Sequence, residues 1–222
     1  MSALDKYLQE LGITVIEGYS HQNPKQVDTL THLVSDENIK SVLEIGFNAG
    51  HSSEIFLSSN PSAHVLSFDL GIHDYVAPAK RFLDENYPKR HSLIIGDSRF
   101  SVPLFSEKNP GAKFDLIFID GGHDYDTAKA DFLNCKNLAH ANTIIVVDDT
   151  TFSTDLKAPW SIGPTDVWTD GVETGFIIES GREEYGVGRG MSWGKYNLSY
   201  FTKNTEALSA KPAGRRGMKM AL

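Results

Sequence analysis

The chain has 222 residues, 40% of them hydrophobic and 23% charged, with a formal net charge of −8. That length supports one substantial core, and no apolar run approaches the roughly 20 residues that span a bilayer. The acidic balance speaks against binding driven by nucleic-acid phosphates.

Taken in order, MSALDKYLQEL lacks the apolar stretch and small-residue cleavage site of a secretory signal, and places Leu4, Tyr7, Leu8 and Leu11 on one helix face. A second helix is predicted from Pro24 to about Ser35, with Asn23 as N-cap and Val27, Leu30, Leu33 and Val34 inward. Short apolar runs then recur: SVLEI (41–45), HVLSF (64–68), SLII (92–95), FDLIFI (114–119) and TIIVV (143–147). The segments between them are long enough for helices. Tyr75, Ala79, Phe82 and Leu83 show helical spacing, as do Tyr125, Ala128, Phe132, Cys135 and Leu138. Strands alternating with helices predict a parallel sheet covered on both faces. After Gly175 the strand-like GFIIES and MSWGKYNLSYF, joined by glycine-rich EEYGVGRG, predict an antiparallel hairpin at one sheet edge.

The predicted architecture is therefore α/β: a Rossmann-like, doubly wound, mostly parallel sheet with a C-terminal hairpin. Its expected divisions are an N-terminal helical extension over residues 1–37, a main domain over 38–202, and a tail over 203–222. Residues 202–222 carry Lys203, Lys211, Arg215, Arg216 and Lys219 against Glu206, so this basic segment is expected to be mobile. The single cysteine, Cys135, cannot close an internal disulfide, which fits a cytoplasmic setting. No membrane or nucleic-acid partner is expected, and a homodimer through the N-terminal helices is a hypothesis for light scattering.

Ligands of open parallel sheets bind beyond the carboxyl ends of the strands. After the first run comes EIGFNAGHSS, where Gly46 permits a tight turn and Asn48 tolerates a left-handed backbone. The second run ends in Asp69, 23 residues after Gly46, near the spacing of an acid that binds a ribose hydroxyl pair, with a helix cap as the competing reading. The third ends in GDSR, where Asp97 and Ser98 either meet an adenine edge or cap a helix. These tips together describe a nucleoside pocket. Glu44, on the strand before the turn, suits a cationic ligand better than a pyrophosphate.

The ordered set EIGFNAGHS, FD, GDS, FDLIFIDGGH and IIVVDDT resembles the motifs of class I S-adenosylmethionine-dependent methyltransferases, in the small-molecule branch whose fourth strand ends in I-D-G-x-H. The resemblance spans about residues 38–200. It implies that Glu44 holds the methionine amino group, Gly46 and Asn48 line the methionine moiety, Asp69 binds the ribose, Asp97 and Ser98 face the adenine, and Asp120 lies beside the reactive methyl. The family's middle glycine is replaced here by Asn48.

Asp120, Asp148 and Asp149 end adjacent strands, and three such carboxylates repel unless a cation or proton is shared. One reading is therefore a divalent metal, Mg²⁺ or similar, on Asp120, Asp148 and Asp149 that activates an acceptor hydroxyl. The other makes His123 the proton acceptor, with Asp120 beside it. Asp124 and Asp126 are assigned to a helix N-terminus. Trp160 is read as a roof over the acceptor pocket, Trp168 as core from a short helix, Trp193 as core or rim, and His51 as a cap or lining residue. Tyr19, His21 and Gln22 are candidates to close over the cofactor. The expected activity is methyl transfer to a small molecule, with oxygen favoured over a metal-free N-methylation. A cofactor-binding protein without turnover is the non-enzymatic rival. An NAD-dependent oxidoreductase is disfavoured by Asn48.

Overall fold

The computed structural model describes residues 2–14, 16, 23–197 and 199. The expectations for Tyr19, His21, Gln22 and the basic tail lie outside these residues. The sheet holds β1 (Ser41–Ile45), β2 (His64–Asp69), β3 (His91–Ile95), β4 (Phe114–Ile119), β5 (Ala139–Asp148), β6 (Ile177–Gly186) and β7 (Arg189–Tyr196), in the order β3-β2-β1-β4-β5-β7-β6. The first five strands run parallel, and β7 pairs antiparallel with both β5 and β6. Strand order reverses between β1 and β4, the switch point at which such sheets open a crevice.

Strand alternation sends Val42, Val65, Leu116, Phe118 and Val146 to one face. There they pack under α1 (Ala3–Glu10), α2 (Pro24–Val34), α3 (His51–Ser59) and α4 (Val76–Asn86). Leu43, Ile45, Ile117, Ile119 and Ile145 face the other way, toward α5 (Ser98–Lys108), α6 (Tyr125–Cys135) and α7 (Ile162–Glu173). Both faces are thus covered. Among the described residues no helix is long and apolar enough to cross a membrane.

Local chemistry sets the boundaries. Ser2 and Asp5 form a reciprocal capping box at the start of α1, and Asn23 Oδ1 accepts from Lys25 N at the start of α2. The described part of the N-terminal segment belongs to the main core, where Leu4 and Leu8 are fully buried. Leu11 departs from the expected inward face and is 51% exposed, because the helix ends at Glu10 and Leu11 is its C-cap. His51 neither caps nor lines the cavity: its Nε2 meets Asp5 Oδ1 at 2.8 Å and joins α3 to α1.

The C-terminal third differs more from the sequence pattern. β5 begins at Ala139, earlier than TIIVV suggests, and β6 runs through most of the glycine-rich connection before turning at Val187 and Gly188. Glu184 accounts for that extension, since its carboxylate accepts from Phe152 N, Ser153 N and Ser153 Oγ and anchors the strand to the loop after β5. The segment containing Trp168 forms a twelve-residue helix. Pro164 falls in its first turn, where a missing N–H costs nothing. Trp168 is core, as expected, and its Nε1 donates to Glu179 Oε2 at 2.6 Å. Trp193 is half-buried against the core.

Candidate active site

At the switch point the backbone makes one very close approach. Gly46 has φ +93°, and a Cβ there would lie 1.9 Å from the Asp120 carbonyl oxygen. Asp120 N donates to Ile45 O at 2.9 Å, so the turn after β1 and the tip of β4 are stitched together. Asn48 takes φ 49°, as its side chain permits, and its backbone N donates to Asp69 Oδ2 at 2.8 Å. Asp69 Oδ1 accepts from Gly71 N at 2.7 Å. One carboxylate therefore braces two successive loops and retains lone pairs for a ligand.

Next along the sheet, Asp97 caps α5 by accepting from Arg99 N at 3.0 Å, and Arg99 folds back so that its guanidinium pairs with both carboxylate oxygens. That pairing holds Asp97 below the usual carboxylate range. Ser98 opens the helix. Beneath it Asp131 is fully buried, and burial pushes its carboxyl up to about 6 against the pull of the Ser98 hydroxyl. These tips line an open cavity of about 710 Å³ that runs from Asp97 past Asp69 and Gly46 to Asp120, His123 and Asp149. Leu70, Ile72 and His73 add an apolar and aromatic rim that sequence reasoning missed. Their sequence signal is the apolar pair Leu70 and Ile72 directly after the Asp69 tip; both lie outside any strand or helix and are 57% and 73% exposed.

Glu44 lies away from this cavity. Its side chain points to the α3 face, fully buried, and its carboxylate accepts from Ser52 Oγ at 2.5 Å, Ser53 Oγ at 2.6 Å and Ser67 Oγ at 2.5 Å. Burial raises its pKa to about 7 against the effect of these hydroxyls. His91 Nε2 adjoins Ser67 Oγ at 3.0 Å, and burial lowers that imidazole to about 3. Glu44 thus supports the glycine turn from behind.

At the other end of the cavity His123 Nε2 stands 3.1 Å from Asp149 Oδ2 and 3.8 Å from Asp120 Oδ1. The Asp120 and Asp149 carboxylates raise the imidazole to about 10, while burial, with the charge of Asp149 added, raises Asp120. One potential ligand atom from each of these three residues lies within 4.8 Å of the others, a spacing that can hold a metal ion. Asp148 is not in this group. It faces α2, where Gln26 Nε2 donates to its Oδ2 at 2.5 Å, and burial raises its carboxyl well above the usual range. The expected set Asp120, Asp148 and Asp149 is therefore split across the sheet. The reason is local: Asp149 adopts φ 56°, a left-handed turn at the strand end, and accepts there from Arg189 NH1 at 3.4 Å.

Asp124 caps α6 by accepting from Thr127 N, and Asp126 lies in its first turn, both as expected. The loop holding His123 is pressed by α7, where a Cβ on Gly163 would lie 2.2 Å from the His123 carbonyl oxygen. Trp160 lines the cavity, and so does Arg189, which no short-range pattern singles out because its partner is 40 residues away in sequence.

The sheet order and the crevice over the strand tips are those of a Rossmann-like methyltransferase fold. Residues 43–150 match the methyltransferase domain family. No curated protein sequence matches the chain significantly. Among solved structures, an O-methyltransferase from Bacillus cereus in complex with SAH is 18% identical with a TM-score of 0.68, over 87% of this chain and 90% of that one. The O-methyltransferase of tomaymycin synthesis from Streptomyces achromogenes, in complex with SAM, is 19% identical with a TM-score of 0.65, over 88% and 90% of the two chains. A TDP-rhamnose 3′-O-methyltransferase of calicheamicin biosynthesis is 18% identical with a TM-score of 0.58, over 79% and 82%. At these identities the likeness establishes the fold.

Proposed function

We propose that the protein transfers the methyl group of S-adenosylmethionine to a hydroxyl of a small molecule. The observation that carries this reading is the chemistry of the cavity's donor set. Asp69, Asp97 and Asp120 supply acceptors along its length, and Arg99, the one cation at the nucleoside end among the described residues, is already held by Asp97. Such a cavity suits a cationic, hydroxyl-rich nucleoside and repels a pyrophosphate. The kinds of O-methyltransferase named above lend support.

In this reading Asp69 accepts from the ribose hydroxyls, and Asp97 with Ser98 meets the adenine edge. Gly46 and Asn48 pass close to the methionine moiety, while Glu44 and its serines hold that turn in place. S-adenosylmethionine supplies an already activated methyl, so the protein's task is alignment and management of the acceptor proton. His123, held as an imidazolium at neutral pH by Asp120 and Asp149, stabilises the acceptor oxygen as its proton leaves to solvent and its lone pair turns toward the methyl. A second reading rests on the spacing of Asp120, His123 and Asp149: a divalent cation on these residues would do the same work.

Calorimetric titration with S-adenosylmethionine and S-adenosylhomocysteine tests the cofactor. Both should bind, and Asp69→Ala should weaken both by about tenfold or more, the worth of one or two hydrogen bonds. No binding of either ligand overturns the proposal. An acceptor panel run with and without a chelator separates the two proton chemistries: activity that survives chelation assigns the work to His123, and activity lost on chelation and restored by Mg²⁺ assigns it to a metal. With His123 stabilising the acceptor oxygen, His123→Ala should lower kcat by about 10²-fold.

A further inference from the structure

The tip of the β6–β7 hairpin is fixed to the cavity wall on both sides of Arg189. Gly188 N donates to Leu156 O at 2.6 Å, and Trp160 Nε1 donates to Gly188 O at 3.1 Å. On the other side Thr150 N donates to Gly190 O at 3.0 Å, and the two backbones lie so close that a Cβ on Gly190 would stand 2.2 Å from Thr150 O. The residue between these anchors has little freedom in its backbone. Its side chain nevertheless makes a single, long polar contact, NH1 to Asp149 Oδ1 at 3.4 Å, and is 34% exposed at the cavity rim. The rest of the guanidinium fork has no hydrogen-bond partner among the described residues. Trp160, 41% exposed, lines the same rim.

A rigidly mounted guanidinium with spare donors is matched by a planar anion, which it grips through two parallel N–H bonds. An indole beside it offers a flat apolar platform. Asp149 links this rim to the proton-handling end, touching Arg189 with one oxygen and His123 with the other. Both cations thus stand on one carboxylate, at the same end of the cavity.

Building on the proposed methyl transfer, we infer that the acceptor is a hydroxylated aromatic acid: its carboxylate is held by Arg189, its ring lies on Trp160, and its hydroxyl meets the Asp120–His123–Asp149 group. The competing account gives Arg189 no task beyond offsetting the charge of Asp149.

The test is calorimetric binding to the full chain saturated with S-adenosylhomocysteine, which needs no turnover. The probes are catechol and 3,4-dihydroxybenzoate, which differ by one carboxylate. Wild type should bind the acid at least tenfold more tightly than catechol. Arg189→Leu should bring that ratio close to one, and Arg189→Lys should keep part of it, since a lysine retains charge but loses the fork. Retained S-adenosylhomocysteine binding shows that each variant is folded. Equal binding of the two probes by wild type, a ratio unchanged in Arg189→Leu, or no binding of either probe overturns the inference while leaving the cofactor reading intact. Failure of S-adenosylhomocysteine itself to bind removes the methyltransferase reading, and the inference falls with it.

Discussion

Gly46 is the residue at which fold and site are least separable. Its missing side chain lets the Asp120 carbonyl approach, so Gly46→Ala must push the turn off the tip of β4. The expected outcome is loss of S-adenosylhomocysteine binding by calorimetry and a stability cost of about 2 kcal/mol or more in urea unfolding. Glu44 makes a different prediction. Its folded-state pKa of about 7 lies above the ordinary 4.5, so the folded state disfavours the charged form. The carboxyl's contribution is fully present below pH 4.5 and is lost as pH rises through about 7, by about 3 kcal/mol for a shift of this size. Glu44→Gln cannot titrate, and the wild type should lose stability relative to it between pH 5 and pH 8. Comparing the two proteins at each pH cancels the opposing effect of His91, whose pKa lowered to about 3 favours the fold as pH rises toward 6.5. Urea midpoints that run parallel across that range would refute the assignment.

Among the elements, β1 to β4 were legible within a residue or so because the strands of a covered parallel sheet show as short, mainly apolar runs. β6 was not, because its second half, from Arg182 to Gly186, is largely half-buried, carries no apolar run and is held by Glu184 rather than by apolar periodicity. α7 was legible only as a short helix carrying Trp168 into the core, because Gly163 and Gly171 resemble loop residues, yet each marks a place where another segment passes too close for a side chain. Trp168 anchors this helix against Phe132, with ring centroids 6.3 Å apart. Trp168→Ala should cost about 3–5 kcal/mol, the usual penalty for emptying a large aromatic from a core, and thermal unfolding would register it. α1 should respond more locally. Asp5→Ala removes the contact that ties it to His51, so faster amide exchange in α1 with little change in the central strands is the expected signature.

Across the whole molecule, the half of the cavity proposed for the nucleoside was legible as a row of strand tips, and the half proposed for the acceptor only partly so. Asp69, Asp97, Ser98 and Asp120 each follow an apolar strand directly, where topology alone brings them to one crevice. The separation of Asp148 from Asp149 depends on one left-handed residue, and the arrival of Arg189 depends on a hairpin folding back across the sheet, neither of which leaves a periodic trace. Cofactor binding should stabilise the whole chain: at a ligand concentration 100 times its Kd the gain is about 2.7 kcal/mol, visible as a raised Tm that Asp69→Ala diminishes.

The end of the cavity proposed for the cofactor is built from turns between residues 46 and 120, whereas Trp160 and Arg189 come from the last stretch of the described chain, which meets the parallel sheet along β5. Such a division lets inheritance treat the two ends separately. Exchanging residues 151–190 for another sequence that still closes on Thr150 would change what is methylated while the methyl source stays the same, so one scaffold can diversify its products without relearning how to hold its reagent.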